Sequence, residues 1–350
     1  MMASYPLRGV CILSAMLATC LCCPAQSATF TDDAGRVVNL PDKIERVYAA
    51  GPPASVLVLA LAPDKLIGWT RAFRANEQAF LPKKYAELPE LGRLTGRGNT
   101  ANSEVVLKAK ADLIIDIGAT GGTYISLADR VQAETGIPYI LLDGRLATLP
   151  QQIDKLGRIL GAEARAKELA GYTTRTFDEI QTRLAKIPTE RRPEVLYARG
   201  PQGLTTGLGG SINVEMLEWI GARNVASGQP GNGLAQIGFE QVVLWNPQVI
   251  IANDPNFYRE VWARPEWAVI RAVRDKRVHL SPNLPFGWFD YPPGANRLIG
   301  LKWLANLLYP GEFKYDLAKE VETFYSLFYL QKPSVEQVAK ILGEPGVLPK

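Results

Sequence analysis

Two stretches of the chain carry the same order of apolar and polar positions. "SEVVLKAKADLIID" (103–116) and "FEQVVLWNPQVIIA" (239–252) each place a Glu near the start, then a short apolar turn, then a run with two adjacent isoleucines. The acids, Glu104 and Glu240, stand 136 positions apart. Each stretch reads as a short helix followed by a strand, so one piece is built twice.

The pattern around them supports this. After residue 40, short apolar runs alternate with amphipathic stretches. "RVYAAG", "KLIGW", "DLIIDIG" and "PYILLD" read as strands; "ASVLVLALA", "SEVVLKAK" and "TYISLADRVQAETG" read as helices. Strands alternating with helices predict parallel βαβ units. Between 149 and 186 no strand signal occurs. "GAEARAKELAGYTTRTFDEIQTRLAK" (161–186) has no proline, and Ala166, Leu169, Ala170, Phe177, Ile180 and Leu184 fall on one helical face. Such a helix is a rod of roughly 35–40 Å. Alternation resumes with the strands "EVLYARG", "QVIIAND" and "RVHLSP" and the helices "SINVEMLEWIG", "FEQVVLW" and "NRLIGLKWLANLLYP". The expected fold is α/β: two lobes with parallel sheets joined by one long helix. The predicted boundaries are an N-terminal lobe at 29–148, a linker helix at 149–190, and a C-terminal lobe with terminal helices at 191–350.

The first 28 residues change the picture of where the protein works. Arg8 precedes an apolar run from Val10 to Leu21, and small residues follow at Ala25, Ser27 and Ala28. This is the pattern of a cleaved secretory signal, and the run is short for a membrane span. "LATC" would offer Cys20 for lipid attachment, but Thr19 before it is a poor match to a lipobox. All four cysteines lie in this segment, and the rest of the chain has one histidine, His279. A zinc site draws on several Cys or His ligands, so no protein-only metal site and no cofactor are expected. His279 sits within a strand pattern and reads as structural.

Of the 350 residues, 47% are hydrophobic, which suffices for a sizeable core. The net charge of +4 comes without a basic arm, so nucleic acid is not an expected partner. No G-x-S-x-G elbow and no Walker-type phosphate loop occurs, which speaks against an exported hydrolase and against an enzyme generally.

Taken in order, "TFTDDAGRVVNLPDKIERVYAAG", the two Glu-helix units, "KLGRILGAEARAKELA" and "GGSINVEMLEWIGARNVA" resemble the periplasmic binding proteins with a rigid inter-lobe helix. Those proteins serve ABC importers of ferric siderophores, haem and cobalamin, and one branch of the class carries molybdate-like oxyanions. The resemblance implies two Rossmann-like lobes, a monomer in the periplasm, and delivery of a small ligand to a permease in the inner membrane. It also implies that Glu104 and Glu240 dock against that permease. From the residues alone, each Glu would equally suit the first turn of a helix, where an acid meets the positive dipole end.

Ligands of open α/β sheets bind beyond the carboxyl ends of the strands. The loops expected there hold Trp69 and Arg71 ("WTRAFR"), Arg97 ("TGRGNT"), Thr120 and Tyr124 ("GATGGTY"), Tyr197 and Arg199 ("YARGPQGLTTG"), and Trp288 and Tyr291 ("PFGWFDYPPG"). Arginine forks suit carboxylates, catecholates and oxyanions, and aromatic walls suit a flat or partly apolar ligand. The expected ligand is an anionic iron chelate. A molybdate- or tungstate-type oxyanion, haem and cobalamin stay open as alternatives.

Overall fold

The computed structural model describes Met1 and residues 28–343, apart from 97 and 99. Residues 2–27 of the expected signal segment (1–28), with Cys20, and the candidate Arg97 lie outside the described residues. A hairpin comes first, Ala28–Thr31 antiparallel to Val37–Leu40. "DDAGR" forms its turn, and Gly35 takes the left-handed φ of +80° that a residue without Cβ adopts freely. Asp32 accepts from the N–H groups of Ala34 and Arg36, and Arg36 donates to the carbonyl of Tyr139 at 2.8 Å. The turn is thereby pinned to the sheet of the first lobe.

That sheet has three parallel strands in the order Val47–Ala49, Leu113–Gly118, Tyr139–Asp143. The second lobe's sheet has four, also parallel, in the order Val278–Leu280, Val249–Ala252, Glu194–Ala198, Arg223–Asn224. The expected α/β architecture of two lobes with parallel sheets is what the chain forms. Both faces of each sheet are covered, which is why the strands are near-continuous apolar runs. In Val249–Ala252, Val249 and Ile251 enter one core while Ile250 and Ala252 enter another, following the period of two along a strand. "KLIGW" does not become a strand of the sheet. It makes only isolated bridges, Val47 with Leu66 and Trp69 with Glu90, because its two ends pair with different segments.

The lobes share a core. One cluster takes in Leu113 and Ile115 from the first sheet, Val195 and Tyr197 from the second, the linker face, and Leu298, Leu301 and Phe324 from the C-terminal helices. The linker itself differs from the single helix expected over 149–190. It is two helices, Leu149–Leu160 and Glu163–Leu184. Gly161 stops the first in the left-handed conformation that commonly ends helices. The two then pack side by side. A Cβ on Gly157 would come within 2.3 Å of Ala166, so the missing side chain permits the close approach. The 22-residue second helix buries all six expected face residues, from Ala166 to Leu184. The tail also departs from the expected boundary at 191–350. Arg297–Leu308 packs on the long linker helix, but Leu317–Phe328 returns to Pro52–Leu61 of the first lobe. Gln331 and Gln337 both donate to the carbonyl of Ala79 at 2.8 Å. Among the described residues, no helix is long and apolar enough to cross a membrane.

Candidate functional site

A cavity of about 160 Å³ opens beyond the carboxyl end of strand Val47–Ala49, where a ligand is expected in such a sheet. First-lobe residues Pro52, Ser55, Trp69, Thr70, Arg71, Phe73, Glu90, Arg93 and Thr100 form most of its wall; Phe286, Tyr291 and Pro292 close it from the loop that precedes Arg297–Leu308. Its floor is aromatic. Trp69 and Phe73 meet edge to face at 4.7 Å, and Phe286 lies 5.7 Å from Phe73 and 6.0 Å from Trp69. Trp69 cannot swing, because its Nε1 donates to the Tyr85 carbonyl at 2.7 Å. Tyr291 stands at the rim, 58% exposed.

The two cations of the wall are not equivalent. Arg71 is bound fork to fork by Glu77, with Nη1–Oε2 and Nη2–Oε1 both 2.8 Å. Burial pushes the Glu77 carboxyl up, yet the Arg71 guanidinium and the Arg74 N–H hold it below the usual range, so the Arg71 charge is matched. Arg93 donates from Nε to the Gly98 carbonyl at 2.9 Å and has no carboxylate partner among the described residues. Glu90 shares the wall and likewise makes no ion pair among the described residues, so Arg93 is the guanidinium of the cavity that no carboxylate holds. Thr100 braces it, accepting from the Arg93 N–H at 3.1 Å. Neither Arg93 nor Phe286 was expected from sequence. Arg93 stands two positions ahead of the Gly-rich loop "TGRGNT", and Phe286 shares its loop with three other aromatics.

A second group lies behind Tyr291. Asp290 is buried, accepts from the Tyr197 hydroxyl and from Asn213 Nδ2 at 2.9 Å, and sits 3.2 Å from Arg199 Nε. Burial raises its carboxyl above the usual range against the pull of Arg199 and Tyr197. Tyr197 and Arg199 therefore hold the base of the Tyr291 loop. Tyr197 is fully buried and stacked on Phe289 at 4.2 Å, so it is no cleft wall. Trp288, expected at the ligand, is instead fully buried: its Nε1 donates to the Tyr325 hydroxyl at 3.3 Å, and Gly300 makes room for its backbone. A loop residue of that size was pulled inward by the apolar area it buries. Thr120 and Tyr124 are also not brought to the cavity; Thr120 lies in the loop ahead of Gly122–Thr135 and Tyr124 in that helix's first turn, packed on the first lobe's outer core. His279 is partly buried, and burial together with Arg277 pushes it down to about 4.

Below the cavity, Arg297 ties the lobes. It donates to the carbonyls of Gly144 at 2.8 Å and Ile212 at 3.3 Å and pairs with Glu215, which accepts from the Leu146 N–H. On the outer surface, Glu104 and Glu240 are exposed on the helices Ser103–Ala109 and Phe239–Trp245.

The sequence profile of the periplasmic binding protein family matches residues 58–283. A molybdate-binding protein, MolA of Haemophilus influenzae, is 27% identical over 347 residues, covering 91% of this chain and 94% of the relative. An ABC transporter solute-binding protein from Sulfurospirillum deleyianum is similar in structure, with a TM-score of 0.82 and 33% identity over 90% of this chain and 99% of the other. MolA bound to molybdate superposes with a TM-score of 0.74 and 25% identity over 88% of this chain and 99% of that one. With a family profile spanning most of both lobes and the same two-lobed fold in these relatives, this chain belongs to the periplasmic binding proteins of ABC transporters.

Proposed function

We propose that this chain captures a small tetrahedral oxyanion of the molybdate type and hands it to an ABC permease. The cavity carries this reading. Its volume of about 160 Å³ is below the roughly 300–1,000 Å³ of sites for drug-sized ligands. Its wall offers one guanidinium that no carboxylate holds, Arg93, and the hydroxyls of Ser55, Thr70, Thr100 and Tyr291, against a single carboxylate, Glu90, that is not bound to Arg71 or Arg93. A compact anion needs that set of donors and little more. The similarity to a protein named for molybdate binding points the same way. Arg199 is proposed to act through Asp290, setting the Tyr291 loop against the anion.

An anionic iron chelate is the second reading, favoured by the aromatic floor of Trp69, Phe73 and Phe286 and the exposed Tyr291. Among the described residues no cluster of His, Cys, Asp and Glu could hold a metal, so iron would arrive already chelated. Titration separates the two. Molybdate should change Trp69 emission to saturation at one equivalent. No response to molybdate, with a ferric catecholate retained through gel filtration together with its visible band, would favour the second reading. In either case Glu104 and Glu240 are the proposed permease-docking points.

A further inference from the structure

The two acid-bearing helices are alike to the residue, and where they differ they differ in chemistry. Each has seven residues, buries one valine (Val106, Val242), ends in a left-handed residue (Lys110, Asn246) and leads into a strand at the same offset. The third position after the acid is exposed and apolar in both, Leu107 at 48% and Val243 at 44%. The fourth is Lys108 in the first and Leu244, 77% exposed, in the second. Lys108 Nζ lies 2.8 Å from Glu104 Oε1, so the first acid is answered within its own helix. Glu240 has no cation partner among the described residues and stands beside two exposed apolar side chains.

We propose that docking is unequal. Glu240, Val243 and Leu244 form the anchoring patch, fitted to a permease surface that presents a cation flanked by apolar side chains. Glu104, held by Lys108, adds a weaker second contact. This rests on the reading of the two acids as docking points. Charge complementarity selects the cation: an incoming Arg meets an unpaired carboxylate at Glu240 but must displace Lys108 at Glu104. The apolar pair selects its surroundings, since adjacent exposed Val and Leu lose water only against apolar surface.

The test uses the chain's own permease complex in nanodiscs and measures equilibrium binding of single variants whose melting temperatures match the wild type. Glu240→Gln and Leu244→Ser should each weaken binding about tenfold or more, and Glu104→Gln by less than about threefold. At raised salt the Glu240→Gln effect should shrink while the Leu244→Ser effect persists, because screening acts on charge alone. Equal losses from Glu104→Gln and Glu240→Gln would overturn the unequal arrangement while leaving two-point docking in place. Unchanged binding by Leu244→Ser would remove the apolar anchor. If neither acid variant alters binding, the docking reading itself fails.

Discussion

Arg297 and Glu215 meet at 3.0 Å, with side chains only 2% and 14% exposed. Each also holds the first lobe: Arg297 donates to Gly144 O, and Glu215 accepts from Leu146 N. Removing one partner of a buried pair strands the other charge, at a cost of about 3–5 kcal/mol. Arg297→Ala should lose that much in urea denaturation. A loss below about 1 kcal/mol is what exposed pairs give, and would show that the pair does not clamp the lobes.

Arg93 is expected to carry more of the anion's binding than Arg71. A charge-assisted hydrogen bond contributes roughly 1.5–3 kcal/mol, so Arg93→Ala should weaken molybdate binding about ten- to a hundredfold. Arg71 already spends its fork on Glu77. Arg71→Ala should therefore weaken binding less and lower stability instead. Calorimetric titration of both variants checks the order, and a larger affinity loss from Arg71→Ala would reverse the assignment.

Buried Asp116 and partly buried His279 should bend the pH dependence of stability in opposite senses. His279 is held down to about 4 by burial and Arg277, from an ordinary 6.5. As pH falls through 6.5 the unfolded chain takes up the proton first, so stability drops until about 4 is reached. Asp116 is pushed up to about 6 by burial from an ordinary 3.8, although Thr95 and Tyr139 donate to it. There the folded chain takes the proton first, so stability rises as pH falls from about 6 to 3.8. Each effect is on the order of 3 kcal/mol, and in the wild type the two oppose each other. His279→Gln should gain stability between pH 7 and 4.5 relative to wild type, and Asp116→Asn should lose it. Parallel urea curves at the two pH values decide; a His279→Gln variant with wild-type pH dependence would show that the residue titrates normally.

The fold could be read because it rests on local periodicity. The linker face from Ala166 to Leu184 follows the helical repeat, and Ile250 and Ile251 point to opposite cores because a strand alternates. What local pattern could not show was which member of a loop faces the ligand. In "PFGWFDYPPG" the structure sends Phe286 and Tyr291 to the cavity and Trp288 to the core. That choice depends on Tyr325, 37 positions away, accepting from Trp288, and on Gly300 leaving room. Likewise Arg93 outranks Arg71 because Glu77 holds one in a fork-to-fork pair and no described carboxylate forms an ion pair with the other. Gly161, which heads the stretch 161–186, closes the helix before it, Leu149–Leu160, because its left-handed φ suits a residue without Cβ.

The shared core also limits motion. Leu113, Val195, Ile180 and Leu298 belong to one buried cluster, so opening the lobes would expose apolar surface on both sheets and the linker at once. A hinge made of loops pays no such penalty. Apolar area costs about 25 cal/mol per Å² to expose, so baring a few hundred Å² would cost several kcal/mol, and Arg297 would lose its first-lobe acceptor as well. Ligand capture is therefore expected to proceed by movement of the rim, chiefly the Tyr291 loop, with the lobes nearly fixed. Small-angle scattering with and without molybdate should show almost the same radius of gyration. Hydrogen exchange should slow around residues 286–292 while the linker helix Glu163–Leu184 stays protected throughout. A marked compaction on binding, with exchange in the linker helix changing, would mean that the lobes swing and that the common core opens in the unliganded protein.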